Sequence, residues 1–101
     1  MDGGSKSIDR VGVILKVLEE IPEDGMTSGQ IATATGFDKA TTYRTLTSLV
    51  GIGLLDRDSE TRRFRLGAYL FNLGAIAARR FSALAHARQV IAAIAKETGD
   101  T

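Results

Sequence analysis

Between Asp38 and Gly51 the chain places Ala40, Thr41, Arg44, Thr47, Ser48 and Gly51 itself at spacings that fall on one side of a helix. All are small or polar except Arg44, the one long cationic side chain among them. A surface this low lets a helix backbone come close to its partner, and the major groove of B-DNA is wide enough to admit one helix. Arg44 then reaches a guanine edge or a phosphate. The competing reading is a solvated helix face, which is what most exposed Ser and Thr represent. Composition weighs against it: a surface helix selected for stability carries Glu, Lys, Gln and Ala, whereas this one holds Thr41, Thr42, Thr45 and Thr47, all poorer helix formers.

Enzymatic chemistry has little to work with. The sequence contains one His, no Cys and no carboxylate pair in a recognisable acid/base setting, so no catalytic centre, metal site or cofactor is expected. His86 stands in an Ala-rich helical stretch, where a satisfied or solvent-facing imidazole is the expectation. Gly51-Ile52-Gly53 follows a helix and precedes a strand, the reverse of the dinucleotide fingerprint.

The elements that must hold the Arg44 face are readable from their punctuation. Thr27 followed by Gln30 has the form of a capping box, so a short helix runs from Ser28 to Thr35. Gly36 ends it in a left-handed conformation, Phe37 pins the turn, and Asp38 accepts the free amides of the next helix. Two helices joined by so tight a turn form a helix-turn-helix. On the second, Thr42, Leu46, Leu49, Val50 and Gly53 share the core side. Ahead of the pair, Ile8, Val11, Leu15 and Leu18, flanked by Ile14 and Ile21, form the apolar stripe of helix 1, with Ser7 as its cap and Pro22 and Gly25 as its end. Arg10 at its start is either a solvated charge or a phosphate contact.

After Gly51 and Gly53, the run Leu54 to Arg57, a polar turn, and the alternating Arg63-Phe64-Arg65-Leu66 predict a two-stranded hairpin. Such a hairpin behind a helix-turn-helix is a wing. Its Arg62, Arg63 and Arg65 would lie over the backbone or a minor groove beside the major groove, diluted by Asp56, Asp58 and Glu60. Gly67 opens a helix with Tyr69, Leu70, Leu73, Ile76 and Ala77 on its apolar side and Arg79-Arg80 at its end. Ser82 would cap a further helix carrying Leu84, Ala87, Ile91 and Ile94. Two helices so apolar are expected to pack on a second chain or on sequence beyond this one.

The whole is mainly α with a small β-hairpin. Net charge is only +1 in 101 residues, but it is polarised. From Lys39 to Arg65 six basic residues face three acidic ones, and from Asp9 to Asp38 two basic face six acidic, so the positive side is the motif. The start, Met1 to Lys6, reads as a flexible tail without a signal peptide, and no run is apolar enough to span a membrane, which places the chain in the cytoplasm.

Ser7-Ile8-Asp9-Arg10, Gln30-Ile31-Ala32, Thr35-Gly36-Phe37, Tyr43-Arg44, Leu46, Leu49, Gly53, Arg65-Leu66-Gly67 and Glu97-Thr98-Gly99-Asp100 stand in an order and spacing that resembles the N-terminal part of an IclR-type bacterial transcriptional regulator. The resemblance covers nearly the whole chain. It implies a winged helix-turn-helix DNA-binding domain at 7–67 after a tail at 1–6, a linker helix at 68–80, and at 81–101 the first helix of a truncated effector-binding domain. It also implies a homodimer or dimer of dimers on a palindromic operator, with a small-molecule effector bound only by the absent part. By position, Ala40, Thr41, Tyr43 and Arg44 would contact DNA, with Lys39 and Thr47 close by. The family often has a larger aliphatic residue in place of Thr45 and frequently Ser in place of Ala40, so operator preference does not transfer. The alternative is a winged helix used for protein or RNA contact. That use calls for large apolar anchors on the recognition helix, where this chain has Thr, Ser and Arg.

Overall fold

The computed structural model describes residues 6–21 and 23–99, with side chains described through residue 97. Of the expected tail at 1–6, residues 1–5 lie outside the described residues, as does the expected helix end at Pro22, while Lys6 is helical and not part of a tail. The chain divides into a unit through Leu70 and a helical unit from Phe71.

The first unit runs α1 (Lys6–Glu19), β1 (Met26–Thr27), α2 (Ser28–Thr35), α3 (Lys39–Gly51), β2 (Leu55–Arg57) and β3 (Arg63–Leu66). The α1 helix already includes Lys6, so Ser7 stands in its first turn and is not the cap expected of it. Its buried side is centred on Ile14 and Leu18, both fully buried, with Val11, Leu15 and Val17 packed around them. Ile8, expected in that stripe, is 72% exposed because it lies a turn before the first helix contact with the core.

The helix-turn-helix forms as its punctuation requires. Thr27 Oγ1 accepts from the Gln30 amide at 3.2 Å while the Thr27 amide donates to Gln30 Oε1 at 2.9 Å, satisfying two amides that the start of α2 would leave orphaned. Gly36 takes φ +78° and its amide donates to the Ala32 carbonyl, which stops the helix. Ile31, Leu46, Leu49, Leu55 and Phe64 then join Ile14 and Leu18 in one core.

The sheet has three strands, in the order β1-β3-β2, all antiparallel. The expected hairpin is present, but Met26 and Thr27 add a short strand on its free side, paired with Phe64 and Arg63. Two residues are too few to show any period in sequence. This strand explains Gly25, which has φ +72° and sits so close to β3 that a Cβ there would overlap the Phe64 carbonyl.

The second unit belongs to one helix, α4 (Ala68–Gly99), 32 residues without interruption. The expected division into a linker helix and a separate helix capped by Ser82 is not found. Nothing between Ala75 and Thr98 is Gly or Pro, and the stretch is rich in Ala, so the intrahelical ladder passes through Phe81 and Ser82. The two apolar sides read from sequence thereby become one: Leu73, Ala77, Leu84, Ala87, Ile91 and Ile94 follow alternating steps of three and four, with Arg80 within the row. No described side chain from Phe71 onward is buried.

Candidate nucleic-acid interface

The recognition-helix candidate α3 is started by Asp38, whose carboxylate accepts from the Thr41 amide at 2.9 Å. That hydrogen bond is the main reason the Asp38 carboxyl titrates below the usual carboxylate range, with the positive charge of Arg44 a smaller contribution. Underneath, Thr42, Leu46 and Leu49 are buried. The Thr42 hydroxyl is completely buried without a hydrogen-bond partner. On the outer side Lys39, Ala40, Tyr43, Arg44, Thr47 and Ser48 are exposed and Thr41 is half-buried, so the residues read as groove-facing share one open surface.

Two of the threonines spend their hydroxyl protons on the helix itself. Thr45 Oγ1 donates to the Thr41 carbonyl and Thr47 Oγ1 to the Tyr43 carbonyl, each at 2.9 Å. Such back-bonding engages the Thr47 hydroxyl proton, so that hydroxyl is left with its acceptor lone pairs and no free donor. Arg44 Nη2 lies 3.4 Å from Thr41 Oγ1, leaving most of its donors unused. Arg10 is half-buried, and its guanidinium lies 5.6 Å from the centre of the Phe37 ring, at the turn between α2 and α3.

Wing geometry separates the arginines that looked equivalent in sequence. The register pairs Arg57 with Phe64 on one side of the sheet and Asp56 with Arg65 on the other. The tip is folded by Asp58, whose carboxylate accepts from the Glu60 and Thr61 amides at 2.8 and 3.0 Å. Those bonds, the Thr61 one first, hold the Asp58 carboxyl below its usual range. Arg62 closes the turn at φ +63°, a left-handed conformation unusual for a residue with a side chain, and its amide donates to the Asp58 carbonyl.

Arg62 and Arg57 line an open groove of about 440 Å³ together with Tyr43 of α3 and Ser28 and Gly29 at the start of α2. Arg63 and Arg65 instead line a hollow of about 380 Å³ with Glu23, Asp24 and Asp58. There Arg63 Nη1 donates to the Gly25 carbonyl at 3.4 Å, and Arg65 lies 4.0 Å from the Asp58 carboxylate. The structure therefore brings Arg62 to the side of Tyr43 and leaves Arg63 and Arg65 among acids. Arg57, not singled out in sequence, belongs to the first group, and the signal that could have found it is strand alternation: it is in step with Leu55, as Phe64 is with Leu66. Among the described residues no cluster of His, Asp or Glu is arranged to hold a metal ion, and no helix is long and apolar enough to cross a membrane.

Comparison with known proteins bears on this surface directly. Residues 7–59 match the model of the IclR helix-turn-helix domain. Over 99 residues the chain is 28% identical to the HTH-type transcriptional regulator BhcR of Paracoccus denitrificans, covering 98% of this chain and 35% of that protein. A crystal structure of an IclR transcriptional regulator from Alicyclobacillus acidocaldarius superposes with a TM-score of 0.71 at 32% identity, over 94% of this chain and 38% of that one. HmgR of Pseudomonas aeruginosa superposes at 0.63 with 25% identity, over 72% and 30%. The chain thus spans about a third of the length of the relatives it matches.

Proposed function

Since the chain belongs to the IclR helix-turn-helix family and carries the DNA-binding domain of such transcriptional regulators, we propose that it reads an operator with α3 in the major groove and its wing on the flanking backbone. The observation that carries this reading is the outer side of α3, which presents Lys39, Ala40, Tyr43, Arg44 and Thr47 exposed and Thr41 half-buried, with Tyr43 sharing a groove with Arg62 of the wing tip. Base edges would be read by Arg44 and Thr47, and phosphates by Lys39 and Arg62. Arg62 ranks ahead of Arg63 and Arg65, whose neighbours are acidic, and Arg10 serves first to brace Phe37.

The functional unit on DNA is a dimer or dimer of dimers. Support comes from α4, whose Phe71, Phe81 and Ile91 are 76, 63 and 65% exposed and whose apolar row recurs at the average spacing of a helix-pair seam. Two-fold symmetry then calls for an inverted-repeat operator with half-sites about one helical turn, or a multiple of it, apart. Residues 68–80, the first part of α4, act as the linker of a cytoplasmic bacterial regulator, and 81–101 as the opening of a longer chain's effector-binding part, where a small molecule would act.

Selection of bound duplexes from a random pool with this chain, near physiological salt, tests the reading. An enriched inverted repeat supports a dimeric, sequence-reading domain. Binding that is weak, salt-sensitive and without enrichment would remove the sequence-reading role from this chain alone. No binding by the folded chain would favour protein contact instead.

A further inference from the structure

Arg57 ends β2, exposed to solvent, yet its side chain is not free to wander. Its guanidinium carbon lies 5.4 Å from the centre of the Phe64 ring and 5.8 Å from that of Tyr43, both within the range of a cation over an aromatic face. The two rings differ in what they are fixed to. Phe64 is 1% exposed and belongs to the domain core, whereas Tyr43 is 44% exposed and belongs to the outer side of α3. Arg57 is thus the middle of a chain of contacts from the core, through the wing strand, to the surface that reads DNA. One residue further on, Asp58 folds the wing tip that holds Arg62 in its left-handed conformation.

We propose that Arg57 is a positioning residue for DNA recognition: laid against both rings, it fixes the angle between wing and recognition helix and holds Tyr43 in the orientation used in the groove. The proposal rests on the reading of α3 as the groove helix. An arginine suits the role because a guanidinium is planar and weakly hydrated and can lie flat on a ring, whereas a lysine ammonium is compact and strongly hydrated. Charge at position 57 would therefore not be sufficient. A phosphate contact, by contrast, asks only for charge and would be served nearly as well by lysine.

The test uses the 101-residue chain and its variants Arg57→Lys and Arg57→Met on the duplex the unaltered chain selects and on a scrambled duplex, at several salt concentrations. Both variants are expected to lose affinity for the selected duplex about three- to tenfold, the scale of one cation–ring contact. The loss on the scrambled duplex should be smaller, with the salt dependence and Tm little changed. In the unaltered chain the Arg57 δ-methylene protons should resonate upfield from ring currents, a shift that Tyr43→Leu reduces.

Full affinity in Arg57→Lys, with an equal loss on both duplexes in Arg57→Met and a salt slope smaller by about one, would make Arg57 a phosphate contact and overturn the proposal. So would an absent ring-current shift, or a large fall in Tm with equal losses on both duplexes. If the unaltered chain binds neither duplex, the DNA reading itself fails, an outcome the variants do not produce.

Discussion

The two sides of the wing carry two arginines each and use them differently. Arg57 and Arg62 look onto the groove shared with Tyr43, whereas Arg63 and Arg65 sit with Glu23, Asp24 and Asp58. Equal charge in sequence is therefore unequal in effect, because the field a partner meets depends on which counter-charges lie beside each cation. Strand alternation separates the members of β2 and β3, and the left-handed turn at Arg62 brings a loop residue to the first side.

The harshest way to break this arrangement is Gly25→Ala. A side chain there meets the Phe64 carbonyl and the Arg65 side chain at a positive φ, so β1 must leave β3. Unfolding by urea should show a loss of about 3 kcal/mol or more. Next in size is the removal of Arg44. Arg44→Ala is expected to cost about 1 to 3 kcal/mol on the preferred duplex and to relax specificity at one base pair, as read by competition with point-substituted duplexes. Against that standard the two wing sides separate. Arg62→Ala should weaken all sequences alike and lower the salt slope by about one, while Arg65→Ala should move the slope much less. Equal slopes for the two variants would erase the comparison.

Smaller effects sharpen it. Arg62→Gly keeps the left-handed turn without its steric cost, so thermal unfolding should show a gain of about 1 kcal/mol while DNA affinity falls. Stability and binding moving in opposite directions is the signature of a strained residue kept for contact. Thr42→Val is the control beneath the same helix. It replaces a buried hydroxyl without a partner by a methyl of like shape, and should raise stability by about 1 kcal/mol with DNA affinity unchanged.

The smallest effect belongs to Asp58. Its folded-state pKa is lowered, chiefly by the Thr61 amide, so its contribution to stability is present above the usual aspartate value of 3.8 and is lost as pH falls through the lower folded-state value. Acid unfolding of Asp58→Asn should therefore be flatter than that of the unaltered chain below about pH 4, with the wing amides of Glu60 and Thr61 reporting the difference by NMR.

Local signals were legible wherever one residue type serves one backbone need. Thr27 with Gln30, Gly36 at φ +78° and Asp38 at the start of α3 all do in the fold what their positions announce, because caps and turns are settled within four residues. Helix periodicity likewise gave the buried Thr42, Leu46 and Leu49. A two-residue strand has no period, so β1 was invisible, and a cap-like Ser82 inside an Ala-rich run misled because a good helix outcompetes a weak stop.

By itself, then, the sequence determined the helix-turn-helix, the wing that follows it, and the face of α3 that stays open, since each depends on neighbours in the chain. Tertiary structure alone decided that the loop residue Arg62 joins that face, how Arg57 bridges Phe64 to Tyr43, and why Gly25 has no side chain. Those depend on residues brought together from 7 to 38 positions apart in the chain, from Arg57 with Phe64 to Arg63 with Gly25. Pairing across that distance sets register, and register sets which charge meets which neighbour.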